Sequence, residues 1–341
     1  MIFNGNEIGA GERNSIQIPV PGEENGSLDV ILYTGSHPGK TLLISAGMHG
    51  NEYIGIEALA RIVRYLDPKK MHGNVMILPL INPRGFYKGS KQVIPADGVN
   101  LNRVFPGDPK GSYTWKLAHL IEEEIYPHAD FILDLHGGDA NEDLLDLAFC
   151  NVEGTEEVNQ MIAEVSKVLS VPYLVESHSV NGLYSWAVQK GIPGILLERG
   201  KRGEWEEEEI LKEILDIEAV MIRLGIISGA DADSSGRSGA FSEIYSTCQI
   251  TRELIEGQNQ VRKNRKMIRN AFYVDASADG FWYPQIRLGS EFKKGMLLGS
   301  VKDFQGNVLQ EVYAEADGIV LYYTVALGVE AGNPLIAYGE L

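Results

Sequence analysis

Cysteine is nearly absent. Cys150 and Cys248 are the only two in 341 residues, and one possible pair is no disulfide framework. Basic residues are also scarce: 30 Lys and Arg stand against 47 Asp and Glu, a formal charge of −17. A surface that acidic repels phosphate backbones, so no nucleic-acid partner is expected. No apolar run approaches the ~20 residues that span a bilayer, so no membrane partner is expected. Residues 1–7 (MIFNGNE) hold neither a basic nor an apolar stretch, and no signal peptide is expected. These absences point to a cytoplasmic protein.

What is present is ordinary globular composition, 44% hydrophobic and 23% charged, at a length that suits two domains of ~150 residues. The 38 glycines exceed the usual ~7% share and are spread without a repeat, which implies many tight turns. Short apolar runs at 41–46, 75–81, 131–136 and 194–198 read as buried strands. Helical spacing covers 53–65, 113–125, 155–169 and 204–224, with a turn at 82–85. Alternating strands and helices predict an α/β fold, a mixed and largely parallel sheet covered by helices on both faces. Residues 228–240 have the composition of a linker or exposed loop. Beyond a polar, basic lead-in, short runs separated by glycines predict a smaller all-β domain. The expected division is 1–227, the 228–240 linker, and 241–341.

Residues suited to chemistry sit at predicted strand ends, where open α/β sheets bind ligands. His49-Gly50-Asn51-Glu52 is an H-x-x-E whose imidazole and carboxylate both suit Zn²⁺. By itself it also reads as a helix start, with Asn51 as cap and His49 a solvated loop residue. His136, ending a second strand, makes a three-ligand metal site with an open position plausible, and Asp134 on the same side of that strand could orient its imidazole. Asn102 and Arg103 lie in a Gly- and Pro-rich loop, and Arg presents a planar fork matched to a carboxylate. Glu198 ends a further strand, where it could serve as general base.

The ordered motifs G-x-H-G-N-E, N-P, D-G-V-N-L-N-R-V-F-P-G, D-L-H-G-G and L-E-R-G resemble the succinylglutamate desuccinylase/aspartoacylase family, a branch of the zinc carboxypeptidase-like hydrolases. Residues 279–341 resemble that family's C-terminal β domain. The resemblance implies one Zn²⁺ per chain on His49, Glu52 and His136, a substrate carboxylate held by Asn102 and Arg103, and Glu198 as base and proton shuttle. Two departures stand out. Where the family has an arginine that polarises the scissile carbonyl, this chain has Lys91, with Arg84 the other candidate to reach the substrate. Where aspartoacylases carry an arginine that reads an acidic side chain, residues 182–197 offer only Lys190, which does not support an aspartate substrate.

The expected function is therefore zinc-dependent removal of an acyl group from the nitrogen of an N-acyl amino acid or similar small acyl-amide. The alternatives are a metallocarboxypeptidase acting on peptides and a non-catalytic binding module on the same scaffold. Homo-oligomerisation is left open. Other features read as structural: the acidic run at 204–209, the basic residues between Arg262 and Arg269, and His72, His119 and His128, none with an apparent second ligand. His178 reads as a rim residue at best.

Overall fold

The computed structural model describes residues 1–24, 26–228 and 239–341. A nine-stranded mixed sheet organises the first unit. Its strands are β1 (Glu12–Pro19), β2 (Ser27–Thr34), β3 (His37–Ser45), β4 (His72–Leu78), β5 (Phe131–His136), β6 (Leu147–Asn151), β7 (Tyr173–Ser177), β8 (Gly194–Glu198) and β9 (Lys266–Ile268). They lie in the order β9-β7-β6-β8-β5-β3-β4-β2-β1. The centre is parallel, with β4, β3, β5 and β8 aligned, whereas β6 opposes β8 and β2 opposes both β1 and β4. Central strands covered on both faces need apolar residues throughout, and all six residues of β5 are buried.

Helices α1 (Tyr53–Tyr65), α4 (Glu156–Ser166) and α6 (Glu207–Arg223) pack on one face, and α3 (Tyr113–Glu124) and α5 (Leu183–Gln189) on the other. Helix α1 spans the predicted residues and buries Ile54, Ala58, Leu59 and Ile62, a stripe at helical spacing. Residues 82–85 were expected as a turn and instead open the short helix α2 (Pro83–Lys88). Asn82 caps it, accepting from the Gly85 N–H at 2.8 Å, and Pro83 takes a first-turn position where a missing N–H costs nothing. No helix among the described residues is long and apolar enough to cross a membrane.

Most of the expected linker, residues 229–238, lies outside the described residues. The stretch after it is the polar lead-in expected ahead of the β strands. Helices α7 (Ser242–Cys248) and α8 (Arg252–Asn264) belong to the α/β body rather than to a β domain starting at 241. Phe241, Ile244, Tyr245 and Ile250 are buried in the core that α1 and α6 share, and β9 then pairs with β7. A few apolar side chains in a polar segment anchor it without producing a strong periodic pattern. Its basic residues pair within the chain: Arg265 donates to the Ser166 and Leu169 carbonyls at 2.9 and 2.8 Å, closing the end of α4.

The β unit follows, with strands β10 (Ala271–Asp275), β11 (Gly280–Pro284), β12 (Glu291–Phe292), β13 (Leu297–Lys302), β14 (Val308–Tyr313), β15 (Gly318–Thr324), β16 (Gly328–Val329) and β17 (Pro334–Glu340). They form two antiparallel sheets, β10-β17-β15-β12 and β14-β13-β11-β16, around Trp282, Leu298, Leu335 and Tyr338. The unit is fastened to the body in two ways. The short strand Glu142–Leu144 pairs with β15, and Leu147, Val175 and Ile268 pack on Ile319 and Leu321.

Arg199, directly after β8, is fully buried between the sheet and α6. It meets Asp146 and Asp216 at 2.7 Å, Glu213 at 3.1 Å and Glu209 at 3.4 Å. Burial lifts the Glu213 carboxyl to about 8, against the pull of Arg199. Removing one partner of such a cluster leaves buried charge uncompensated. Arg199→Gln should cost ~3–5 kcal/mol in urea unfolding; a loss below ~1 kcal/mol, the range of exposed pairs, would show that the cluster does not hold α6 to the sheet.

Candidate active site

Strands β3, β5 and β8 run in parallel, so their carboxyl ends meet at one edge of the sheet. The register sets Ser45 beside Asp134 and His136 beside Glu198. With a side-chain period of two, Asp134 and His136 share a face. After β3 the chain turns through Gly47 at φ 67°, in the left-handed region that favours glycine. Gly50 then presses on the Gly85 backbone, where a Cβ would come within 2.3 Å of the carbonyl carbon. Asn82 tethers this loop: its N–H donates to the Gly47 carbonyl at 2.9 Å and its Nδ2 to the Met48 carbonyl at 3.3 Å. The result holds His49 and Glu52 against His136.

All three side chains are buried. His49 Nδ1 lies 2.6 Å from Glu52 Oε1, and His136 Nδ1 lies 2.9 Å from Glu52 Oε2. The outer nitrogens face acceptors: His49 Nε2 is 3.2 Å from Asn100 Oδ1, and His136 Nε2 is 3.3 Å from Asp134 Oδ2. Ser45 Oγ in turn donates to Asp134 Oδ1 at 2.7 Å. Acceptors outside both rings favour the Nε2–H tautomer and leave two Nδ1 lone pairs aimed at a carboxylate. Such an arrangement repels unless a proton or a cation lies within it.

With protons alone, burial lifts Glu52 but His49 and His136 outweigh it and bring the carboxyl down to about 2. His136 moves well above its ordinary value, because Glu52 and Asp134 overcome its burial. Even so, Glu52 Oε2 and His136 Nε2 are buried without an aligned hydrogen bond. One ligand atom from each of the three residues falls within 4.8 Å of the others. Two imidazoles and a carboxylate are the donor set of a catalytic zinc site, so the residues fit a divalent cation.

These groups line one end of a cavity of about 690 Å³ that also takes in Glu198, Asn102 and Arg103. Burial lifts the Glu198 carboxyl to about 8, with His136 opposing and the carboxylates of Glu52, Glu142 and Asp134 adding. Asn102 Oδ1 accepts from the Leu183 N–H at 3.0 Å, at the start of α5, which fixes the amide and leaves Nδ2 as its donor. Arg103 Nη1 donates to the Asn102 carbonyl at 2.8 Å.

Two expected residues do not reach the cavity wall. The Arg84 guanidinium stacks over the Tyr113 ring at 4.8 Å. Lys91 Nζ donates to Asn141 Oδ1 at 2.5 Å and sits 3.2 Å from Glu142 and 3.8 Å from Asp139. That carboxylate pair captures the ammonium, and the neighbouring Gln92 takes the place on the wall, donating to Glu142 Oε1 at 3.1 Å. His119 does gather with Glu122 and Glu123, contrary to expectation. Glu122, however, already accepts from Trp186 Nε1 at 2.9 Å and pairs with Lys190 at 3.2 Å, which takes Lys190 away from the site. His178 lies at the cavity mouth beside Glu153. Sequence reasoning missed Asn100 and Asn82 as the residues that hold His49 and its loop. The N-P and N-L-N-R motifs were their only signal.

A model of the succinylglutamate desuccinylase/aspartoacylase catalytic domain matches residues 38–224. The chain belongs to that family. It is 26% identical over 308 residues to the N-alpha-acetyl-L-2,4-diaminobutyric acid deacetylase of Halomonas elongata, covering 89% of this chain and 83% of that protein. A segment of 85 residues, 25% of this chain and 24% of the relative, is 34% identical to the succinylglutamate desuccinylase of Ectopseudomonas mendocina. Among solved structures, the product-bound ectoine utilization protein EutE (DoeB) of Ruegeria pomeroyi shares the fold with a TM-score of 0.78 at 22% identity, over 98% of this chain and 97% of that one. A succinylglutamate desuccinylase/aspartoacylase from Rhodobacter sphaeroides does so with a TM-score of 0.76 at 24% identity, over 97% and 95%.

If the three side chains hold a metal, the purified protein should bind about one Zn²⁺ per chain, and His49→Ala or His136→Ala should lose most of it by elemental analysis. Zinc should also raise the melting temperature of the wild type and not of the variants. Full occupancy in both variants would remove these residues as ligands.

Proposed function

We propose, taking family membership as the premise, that this chain is a zinc-dependent hydrolase that removes an acyl group from the nitrogen of an N-acyl amino acid or a similar small acyl-amide. One observation carries the reading: the His49, Glu52 and His136 donor set, the Glu198 carboxyl and the Asn102–Arg103 pair share the wall of one cavity. The named activities of the relatives, removal of acetyl or succinyl groups from amino acids, support the same reaction class. Two free thiols, Cys150 and Cys248, suit a reducing compartment such as the cytoplasm.

When bound, zinc supplies a Lewis acid that lowers the pKa of water toward ~7 and polarises an amide oxygen. The protein groups supply the rest. Glu198, beside His136, takes a proton from the attacking water and passes it to the departing nitrogen, and a carboxyl lifted by burial is suited to both accepting and donating. Arg103 and the Asn102 Nδ2 amide bind the free carboxylate of the substrate, which sets the position of the scissile bond. The β unit adds Phe272, Leu321 and Tyr322 to the wall, which crowds a long peptide and favours a small substrate.

Amine release from N-acetyl, N-succinyl and longer N-acyl amino acids tests the reading, with C-terminal release from peptides as the competing outcome. Glu198→Gln should retain zinc and lose kcat by ~10²–10⁴-fold. Turnover within a few-fold of wild type would place the base elsewhere.

A further inference from the structure

We propose that the substrate carries a bulky apolar group, which occupies the part of the cavity beyond Glu198. This rests on the reading of the site as an N-acyl amino acid hydrolase. The register of β6 against β8 sets Leu147 beside Glu198 and Phe149 beside Leu196. The wall leading away from the reacting groups therefore begins with leucine and continues into an aromatic ring. Tyr184 from α5, Phe272 from β10 and Leu321 from β15 complete it. Leu147, Leu196, Tyr184 and Leu321 are all at most 5% exposed, and the Tyr184 hydroxyl is already engaged, donating to Ser177 Oγ at 2.8 Å.

The charges on the wall argue against an ionic substituent. Beyond Arg103, the only guanidinium on the wall among the described residues is Arg269, which is 80% exposed at the mouth and 3.7 Å from Glu176. An acidic side chain therefore finds no second buried cation. A cationic side chain would need an unpaired carboxylate, but Glu142 is met by Lys91 at 3.2 Å and by Gln92 at 3.1 Å, and Glu176, the other carboxylate on this part of the wall, already faces Arg269 at 3.7 Å. Glu52 and Glu198 are committed to the reaction centre. A cavity of about 690 Å³ lies within the ~300–1,000 Å³ range of drug-sized ligands and exceeds what a small acetylated polar amino acid fills.

The test uses the zinc-loaded enzyme and two substrate series. One lengthens the side chain, through N-acetyl derivatives of alanine, norvaline and norleucine. The other lengthens the acyl chain, through N-acetyl-, N-butanoyl- and N-hexanoylglycine. One series should gain about fourfold in kcat/KM per added methylene, which is what apolar transfer of a CH₂ supplies. The series that gains identifies which end of the substrate the pocket takes. Its longest member should exceed N-acetylaspartate and N-acetyl-2,4-diaminobutyrate by at least ~10-fold. Phe149→Ala should flatten the gain, and the wild-type series decides alone if that variant does not fold. Two flat series, or faster turnover of a charged substrate, would overturn the inference and leave the hydrolase reading standing. No turnover of any compound would overturn the hydrolase reading instead. Calorimetric titration with butanoate, hexanoate and octanoate then decides the pocket by itself: affinity should rise with chain length, and equal affinities overturn the inference.

Discussion

The Glu52 carboxylate, buried between two imidazoles, is the constraint on which the rest of the site depends. Each of its oxygens lies within 2.9 Å of a ring nitrogen, and each ring has an acceptor behind it. Such a group is tolerable in an apolar interior only when cationic charge, from protons or a metal, lies among these atoms. Holding it requires the sheet edge to place His136, the Gly47–Gly50 loop to place His49 and Glu52, and Asn82 to hold that loop to α2. Ser45 and Asp134, a hydrogen-bonded pair on neighbouring strands, then fix the back of the His136 ring. A change in β3–β5 register by one residue would send Asp134 and His136 to the opposite face and separate His136 from His49 and Glu52.

The same alternation separates chemistry from stability at the end of β8. Glu198 faces the cavity and Arg199, the next residue, faces α6. The two never compete, because the sheet lies between them. On the α6 side, Arg199 gathers four carboxylates, Asp146 ahead of β6 and Glu209, Glu213 and Asp216 on the helix, so the strand that presents the catalytic candidate is clamped from behind. An acidic chain concentrates several of its charges there, around one guanidinium that cannot lose its proton.

The central strands were legible because both of their faces are covered. A buried strand begins as a run of apolar residues, and 131–136 and 194–198, polar only toward their carboxyl ends, match β5 and β8 residue for residue. Helix α1 was equally plain, since its apolar stripe faces a single layer. The convergence of His49, Glu52 and His136 was legible because they sit where such strands end. The placement of Lys91 and Arg84 was not legible, for a common reason: a cation goes to whatever anion or ring is nearest in space, and neither the Asp139–Glu142 pair nor Tyr113 is near either residue in sequence. The attachment of the segment that leads into the β unit was hidden for a different reason. Helix α8 buries little besides Gln258, and a segment that polar carries no period from which its attachment to α6 can be read.

Attachment of the β unit explains why a cavity of this size exists at the sheet edge. Strand Glu142–Leu144 leaves the body, pairs with β15, and brings Asp143 to accept from the Tyr323 hydroxyl at 3.1 Å. Leu147, a few residues on, enters β6 beside Glu198. One segment thus fastens the second unit and builds the wall next to the proposed base, and the apolar contacts that join the units, Leu147 and Leu321 among them, continue as lining of the cavity. Burial that stabilises the junction and burial that shapes the cavity draw on the same side chains. The shape of the cavity is therefore tied to how the β unit docks, because the side chains that join the two units are also part of its wall.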